Sequence, residues 1–174
     1  MVANISGAAI VGPGNGFCRR SRVNRPVLGA DDSYRTSDIT VMITRYILIA
    51  LGGAFGSVLR FFLSTYCNVQ TGGTFPWGIL IVNVSGSFAI GFIFAVTEPG
   101  GRWFASPAMR DFLMVGICGG YTTFSSFSLN TLNLARDGDW LRAGGNIVGS
   151  VTFCLAAVWL GHAAAAAINQ LKGA

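Results

Sequence analysis

Gly116-Ile117-Cys118-Gly119-Gly120-Tyr121-Thr122-Thr123-Phe124-Ser125-Ser126-Phe127 decides the fold. It lies within an apolar run from Phe112 to Leu134, long enough to cross a bilayer, which takes about 20 helical residues. The centre of that run is a poor helix. Gly119 and Gly120 each cost about 1 kcal/mol in a helix interior. Thr122, Thr123, Ser125 and Ser126 carry hydroxyls that compete for backbone groups. The pattern predicts a transmembrane helix broken near Gly119 to Thr122. A break at membrane depth frees carbonyls and amides that only protein or a polar cavity can satisfy, so it marks an ion site.

Composition agrees with a membrane reading. Of the 174 residues, 52% are hydrophobic and 11% charged, whereas soluble domains carry about 25% charge. The net charge of +5 does not define a nucleic-acid face, because six of the twelve basic residues (Arg19, Arg20, Arg22, Arg25, Arg35, Arg45) lie before the first apolar span or at its very start. Cys18, Cys67, Cys118 and Cys154 have neither zinc-site spacing nor a disulfide pattern. Residues 1–41 mix Gly, Asn, Ser, Arg and Asp without periodicity, and the reading is a disordered or dispensable tail. Their basic residues follow the short apolar patch Ala8 to Val11 instead of preceding it, unlike a secretory signal. Met42 opens a compact start for a first span, which leaves the true start open between Met1 and Met42.

Residues 42–174 hold four spans, at roughly Ile43 to Tyr66, Phe75 to Thr97, Phe112 to Leu134 and Gly144 to Ile168, which makes an all-α integral membrane protein. Small residues recur four apart, Gly52 with Gly56, Ser87 with Gly91, Gly116 with Gly120 and Gly145 with Gly149, a spacing that lets helix backbones approach closely in lipid. Trp77, Trp103 and Trp140 stand near span ends, where indoles anchor at the interface. With the tail, the positive-inside bias favours a cytoplasmic N-terminus; a chain starting at Met42 has little bias and can insert both ways. One four-helix bundle fills its own centre with side chains, so a transport path requires at least a dimer.

Polar residues inside the spans carry the functional reading. Arg60 is a costly charge late in the first span, read either as a snorkelling side chain or as part of an aqueous vestibule. Asn83 offers two amide donors, with Ser85 and Ser87 beside it, and Asn146, Ser150 and Cys154 form one stripe at spacings of four. No Asp or Glu lies clearly within a span: Glu98 and Asp111 fall in the second connection, Asp137 and Asp139 in the third. That disfavours proton-coupled cation exporters, which need an embedded carboxylate. His162 is the only histidine and no Gly-x-Ser-x-Gly is present, so no catalytic residue is assigned and no enzyme is expected. Hydroxyls, an amide, one arginine and the positive ring edges of Phe124 and Phe127 make a donor-rich, acceptor-poor lining that suits a small anion.

Three stretches together resemble the fluoride channel family known as CrcB or Fluc: Gly52 through Arg60, Phe75 through Phe88, and Gly119 through Phe127. The resemblance covers Met42 to about His162. It implies a passive fluoride-selective channel of the cell (inner, plasma) membrane that exports fluoride to relieve its toxicity, built as an antiparallel dual-topology dimer. It also implies a structural sodium ion at the dimer centre, held by backbone carbonyls of Gly119 and Thr122. Phe124 and Phe127 would be the ring box beside fluoride, Asn83 an amide donor, Ser125, Ser126 and Ser150 a hydroxyl track, and Arg60 a vestibule residue. Ile79, Tyr121, Ser126 and Asn130 depart from residues common in the family. Asn130 stands where a glutamate is frequent, and the partner is either a second copy or a paralogous subunit. The competing readings are a small four-helix dimeric exporter of another substrate and a scaffold subunit without transport.

Overall fold

α1 (Asp31–Gln70) is followed by α2 (Trp77–Val96) after a tight turn whose Gly72 and Gly73 sit at φ of 72° and 68°, the left-handed region glycine enters without a Cβ clash. The computed structural model describes residues 31–171. Residues 1–30, Cys18 among them, and Lys172 lie outside the described residues. α3 (Pro107–Asp111) runs directly into a π-helical turn (Phe112–Cys118) and then α4 (Gly119–Tyr121); α5 (Phe124–Arg136) and α6 (Trp140–Gln170) complete the chain. Regular structure among the described residues is entirely helical.

Four stretches are long and apolar enough to cross a membrane: Asp38–Gln70, Trp77–Val96, Pro107–Arg136 and Trp140–Gln170. The four-span reading therefore holds, with two changes at the boundaries. The first helix begins at Asp31, ahead of Met42, so residues 31–41 continue α1 where an irregular tail was expected. The third begins at Pro107, where Ser106 accepts a hydrogen bond from the Met109 amide (3.3 Å) and proline occupies the first helical position, a favoured start. Asp111 consequently lies in the helix and not in a connection, and its charge is met by Arg45 of α1, whose Nε donates to Oδ2 at 2.7 Å.

Helices approach through missing side chains. α2 packs along α6 more extensively than any other pair, and a Cβ at Gly91 would overlap the Val158 carbonyl, one at Gly161 the Phe88 carbonyl. α1 meets the third span the same way: Gly52 lies against Gly116, Gly56 against the Ile117 carbonyl, and a Cβ at Gly120 would sit 2.5 Å from the Gly53 oxygen. In lipid, such close approach supplies dispersion contacts that replace the hydrophobic drive. Gly145 and Gly149 do not follow this expectation. Gly145 has no atom of another element within reach and Gly149 meets only Phe153 of its own helix, so that pair joins no helices within the chain.

Candidate functional site

The third span is broken at Thr122 (φ −82°, ψ 155°) and Thr123 (φ −153°, ψ 115°). Gly119 remains helical at φ −65°, ψ −38°, which corrects the expectation that the glycine pair unwinds the helix. Gly120 serves the contact with α1, and two hydrogen-bonding side chains make the break. Asn83 of α2 accepts from the Thr123 amide through Oδ1 (2.8 Å) and donates to the Thr123 carbonyl through Nδ2 (3.0 Å). One amide thus replaces both halves of a lost helical peptide pairing. Thr123 then caps α5, its Oγ1 accepting from the Ser126 amide at 3.2 Å, the arrangement preferred at helix starts.

Across the break, α1 addresses a single carbonyl. The Gly120 oxygen accepts from Arg60 Nε (3.2 Å) and from Ser57 Oγ (3.4 Å). Arg60 is therefore drawn onto the break itself and is not part of the cavity wall described next.

A cavity of about 380 Å³ lies between α2, the break and α6. Asn83, Ser87, Cys118, Gly119, Thr122, Thr123, Phe124, Phe127, Ser150 and Cys154 contribute to its wall, with Ile90, Val151 and Leu155, and no charged side chain lines it. Phe124 and Phe127 pair with ring centroids 5.2 Å apart and planes inclined at 50°; Phe127 is 8% exposed and Phe124 76% exposed. Behind Phe127 runs a chain of hydrogen bonds: Ser150 Oγ to Asn146 Oδ1 (3.4 Å), Asn146 Nδ2 to Thr131 Oγ1 (2.8 Å), Thr131 Oγ1 to the Phe127 carbonyl (2.8 Å). Asn146, 2% exposed, is satisfied by this chain, as burial of an amide demands. Among the described residues no buried side-chain nitrogen or oxygen lacks a partner.

The structure thus brings Asn83, Phe124, Phe127, Ser150, Gly119 and Thr122 to one cavity. It does not bring Ser125 and Ser126 there: both hydroxyls gather on Thr123 Oγ1, at 3.1 and 3.2 Å. Sequence reading gave Thr123 no role of its own, although a threonine immediately before a resumed apolar helix is a capping signal. Tyr121 also gains a partner, its hydroxyl lying 2.9 Å from Ser85 Oγ. Asn130 lines a separate polar cavity of about 480 Å³ with Asn68, Asn133, Asp137, Asp139 and Arg142.

Four apolar spans around an uncharged, hydroxyl- and amide-bearing cavity at a helix break define a multi-pass membrane protein with a polar site at span depth. The chain belongs to the CrcB family: the model of the CrcB-like protein, Camphor Resistance (CrcB), matches residues 47–162. It is similar to proteins named fluoride-specific ion channel FluC. One from Opitutus terrae is 62% identical over 128 residues, 74% of this chain and 97% of the relative. Another from Methylocella silvestris is 57% identical over 129 residues, 74% and 98%; a third from Paramagnetospirillum magneticum is 58% identical over 125 residues, 72% and 98%.

Proposed function

We propose that this protein is a passive fluoride channel of the cell membrane that lets fluoride leave the cell, and that it works as an antiparallel dimer. The observation that carries the reading is the cavity wall, which offers hydroxyls, an amide and aromatic edges but no carboxylate and no fixed cation. Donors and ring edges offset part of fluoride's dehydration cost, and the lack of a cation keeps the ion from being trapped. Asn83 spends one Nδ2 proton on Thr123 and keeps the second for the cavity. Ser150 stands on the α6 side with its hydroxyl proton donated to Asn146 Oδ1, and Phe124 and Phe127 supply ring edges to the same cavity.

The dimer is supported by surfaces the chain leaves unused. Phe124 is 76% exposed, Gly145 presents backbone to empty space, and Gly149 meets only the Phe153 ring of its own helix. A second, inverted copy or a paralogous subunit placed there covers Phe124 and uses the glycines for close approach.

A structural sodium at the dimer centre fits the backbone of the break. In an uninterrupted helix the Gly119 carbonyl would receive the Thr123 amide and the Thr122 carbonyl the Ser126 amide; here those amides go to Asn83 and Thr123 side chains. Both carbonyls are thereby released from their helical donors, and a hard cation takes such oxygens. Two copies would provide four. The ion would supply positive charge that ties the two breaks together.

The test is fluoride efflux from liposomes holding the purified protein, measured against chloride. A fluoride-selective passive leak is expected, and proton-coupled efflux of an organic cation would replace this reading with an exporter. Dimer stability should fall when sodium is exchanged for a large organic cation; equal stability in both would remove sodium from the proposal.

A further inference from the structure

We propose that Asp137 and Arg142 set the rate of fluoride passage at the membrane face formed by the α1–α2 and α5–α6 turns, Asp137 by repelling the anion and Arg142 by offsetting that repulsion. The proposal rests on the fluoride reading of the deeper cavity. At this face lies the polar cavity of about 480 Å³, walled by Gly73 and Thr74 of one turn and by Asp137 and Asp139 of the other. Its place relative to the deeper cavity follows from α5. Phe127, Asn130, Leu134 and Asp137 are spaced three, four and three apart, which puts them on one helix face. Phe127 lines the deeper cavity and the other three line the polar one. At 1.5 Å of rise per residue, Asn130 stands about 5 Å and Asp137 about 15 Å along the axis from Phe127. The same face of α5 thus runs from the ring pair to exposed Asp137.

Charge in the polar wall is unbalanced. Asp139 is occupied: its Oδ2 pairs with Arg142 Nη1 at 2.9 Å, and its Oδ1 accepts from the Arg142 amide at 3.2 Å, capping α6. Asp137 takes part in no ion pair among the described residues, and Arg136 beside it does not line the cavity. Two carboxylates against one guanidinium leave this wall with one negative charge in excess, whereas no charged side chain lines the deeper cavity. An anion moving along this face of α5 therefore meets fixed charge of its own sign at the mouth and none beside the rings. A fixed charge at a wet mouth changes the local concentration of a small ion. The effect fades with salt, as the Debye length shrinks from about 30 Å at 0.01 M to about 3 Å at 1 M. With fluoride well below saturation, flux follows its concentration at the mouth.

The experiment measures initial fluoride efflux from liposomes holding the full chain, with ionic strength set by potassium glutamate at about 10 mM or about 1 M. At low salt, Asp137→Asn should raise flux about two- to threefold and Arg142→Gln should lower it by a similar factor, the size a unit charge several ångströms away exerts through water. Asp137→Lys should raise it further. The double variant Asp137→Asn with Arg142→Gln restores one negative charge in excess and should return to parent flux, and all variants should converge on the parent at high salt. Changes that persist at high salt, or a double variant that is not rescued, assign these residues to folding and overturn the proposal. Asn133→Cys, in the same wall, reads the field without flux. The ratio of its modification rates by a cationic and an anionic methanethiosulfonate, mapped by peptide mass so that native thiols are counted apart, should fall about fourfold or more with Asp137→Asn at low salt. An unchanged ratio overturns the field. A changed ratio with unchanged flux takes this cavity off the fluoride path and overturns the proposal while the channel reading stands; a parent without fluoride flux rejects the channel reading itself, whatever the ratio.

Discussion

On its α1 side the break in the third span rests on backbone: Gly52, Gly53 and Gly56 lie against Gly116, Ile117 and Gly120 with no room for a Cβ at most of these contacts. On its α2 side the main hold is one amide, Asn83, bonded twice to Thr123, with Gly86 making room for the Thr122 side chain and Ser85 meeting the Tyr121 hydroxyl. The first support is mostly a matter of shape, with Arg60 and Ser57 adding donors to the Gly120 carbonyl, and the second mostly one of donor and acceptor order. They should therefore fail differently, the first by loss of fold and the second by loss of conduction.

The largest effect is expected from Gly120→Val, because its Cβ would lie 2.5 Å from the Gly53 carbonyl oxygen. Backbone cannot yield as a side chain can, so the cost should exceed the usual overpacking penalty of about 1–3 kcal/mol. Size-exclusion profile and thermal melt in detergent read this, with Gly53→Ala, whose Cβ meets nothing within 4 Å, as the silent partner. A Gly120→Val protein that melts like the parent would erase the distinction between the two sides.

Next comes Asn83→Asp, which when ionised places an acceptor-only group opposite the Thr123 carbonyl and a negative charge on the cavity wall. Fluoride efflux should drop by about 100-fold or more, since an unscreened like charge within a few ångströms costs several kcal/mol. Parent-level flux would show that the amide matters only for folding.

Phe124→Ile and Phe127→Ile should each lower flux by about tenfold through loss of the positive ring edge. Their stabilities should diverge: Phe127 is buried and its replacement costs about 1 kcal/mol, while exposed Phe124 costs well under that in a single chain. Equal destabilisation in the assembled protein would place Phe124 under a partner subunit. Unchanged flux in both returns the rings to ordinary packing.

The smallest effect is expected from a chain beginning at Met42. It removes the start of α1, which lies ahead of the glycine contacts and Arg60, and fluoride flux should stay within about twofold, as terminal segments often tolerate removal. Failure to insert or dimerise would make residues 1–41 part of the fold.

Much of this arrangement could be read from residue order. Four apolar runs, the glycine spacing of Gly52 with Gly56 and Gly116 with Gly120, and the stripe of Asn146, Ser150 and Cys154 all follow from helical period, and the helices use them so. The location of the break was legible only to within a turn. Glycine weakens a helix wherever it stands, but whether it unwinds or merely lets a neighbour approach depends on what lies across from it, and Gly53 lies across from Gly120. Likewise, the family resemblance implied a hydroxyl track with Ser125 and Ser126, and residue order carries no side-chain direction; Thr123, by turning extended, collects both. Arg60 is a third case, since a charge in a span announces that it has a partner without naming the Gly120 carbonyl.

The π-helical turn at Phe112–Cys118 has its own consequence for where everything beyond it points. The Gly119 amide reaches back to the Met114 carbonyl, five residues earlier, so this turn accommodates one residue more than an α-turn does. In a helix of 3.6 residues per turn, one added residue shifts the phase of the following chain by about 100°. Gly119, Gly120 and Tyr121 are thus aimed by a local insertion and not by the period of the preceding α-helix alone, and the extended Thr122 and Thr123 then re-aim the two phenylalanines.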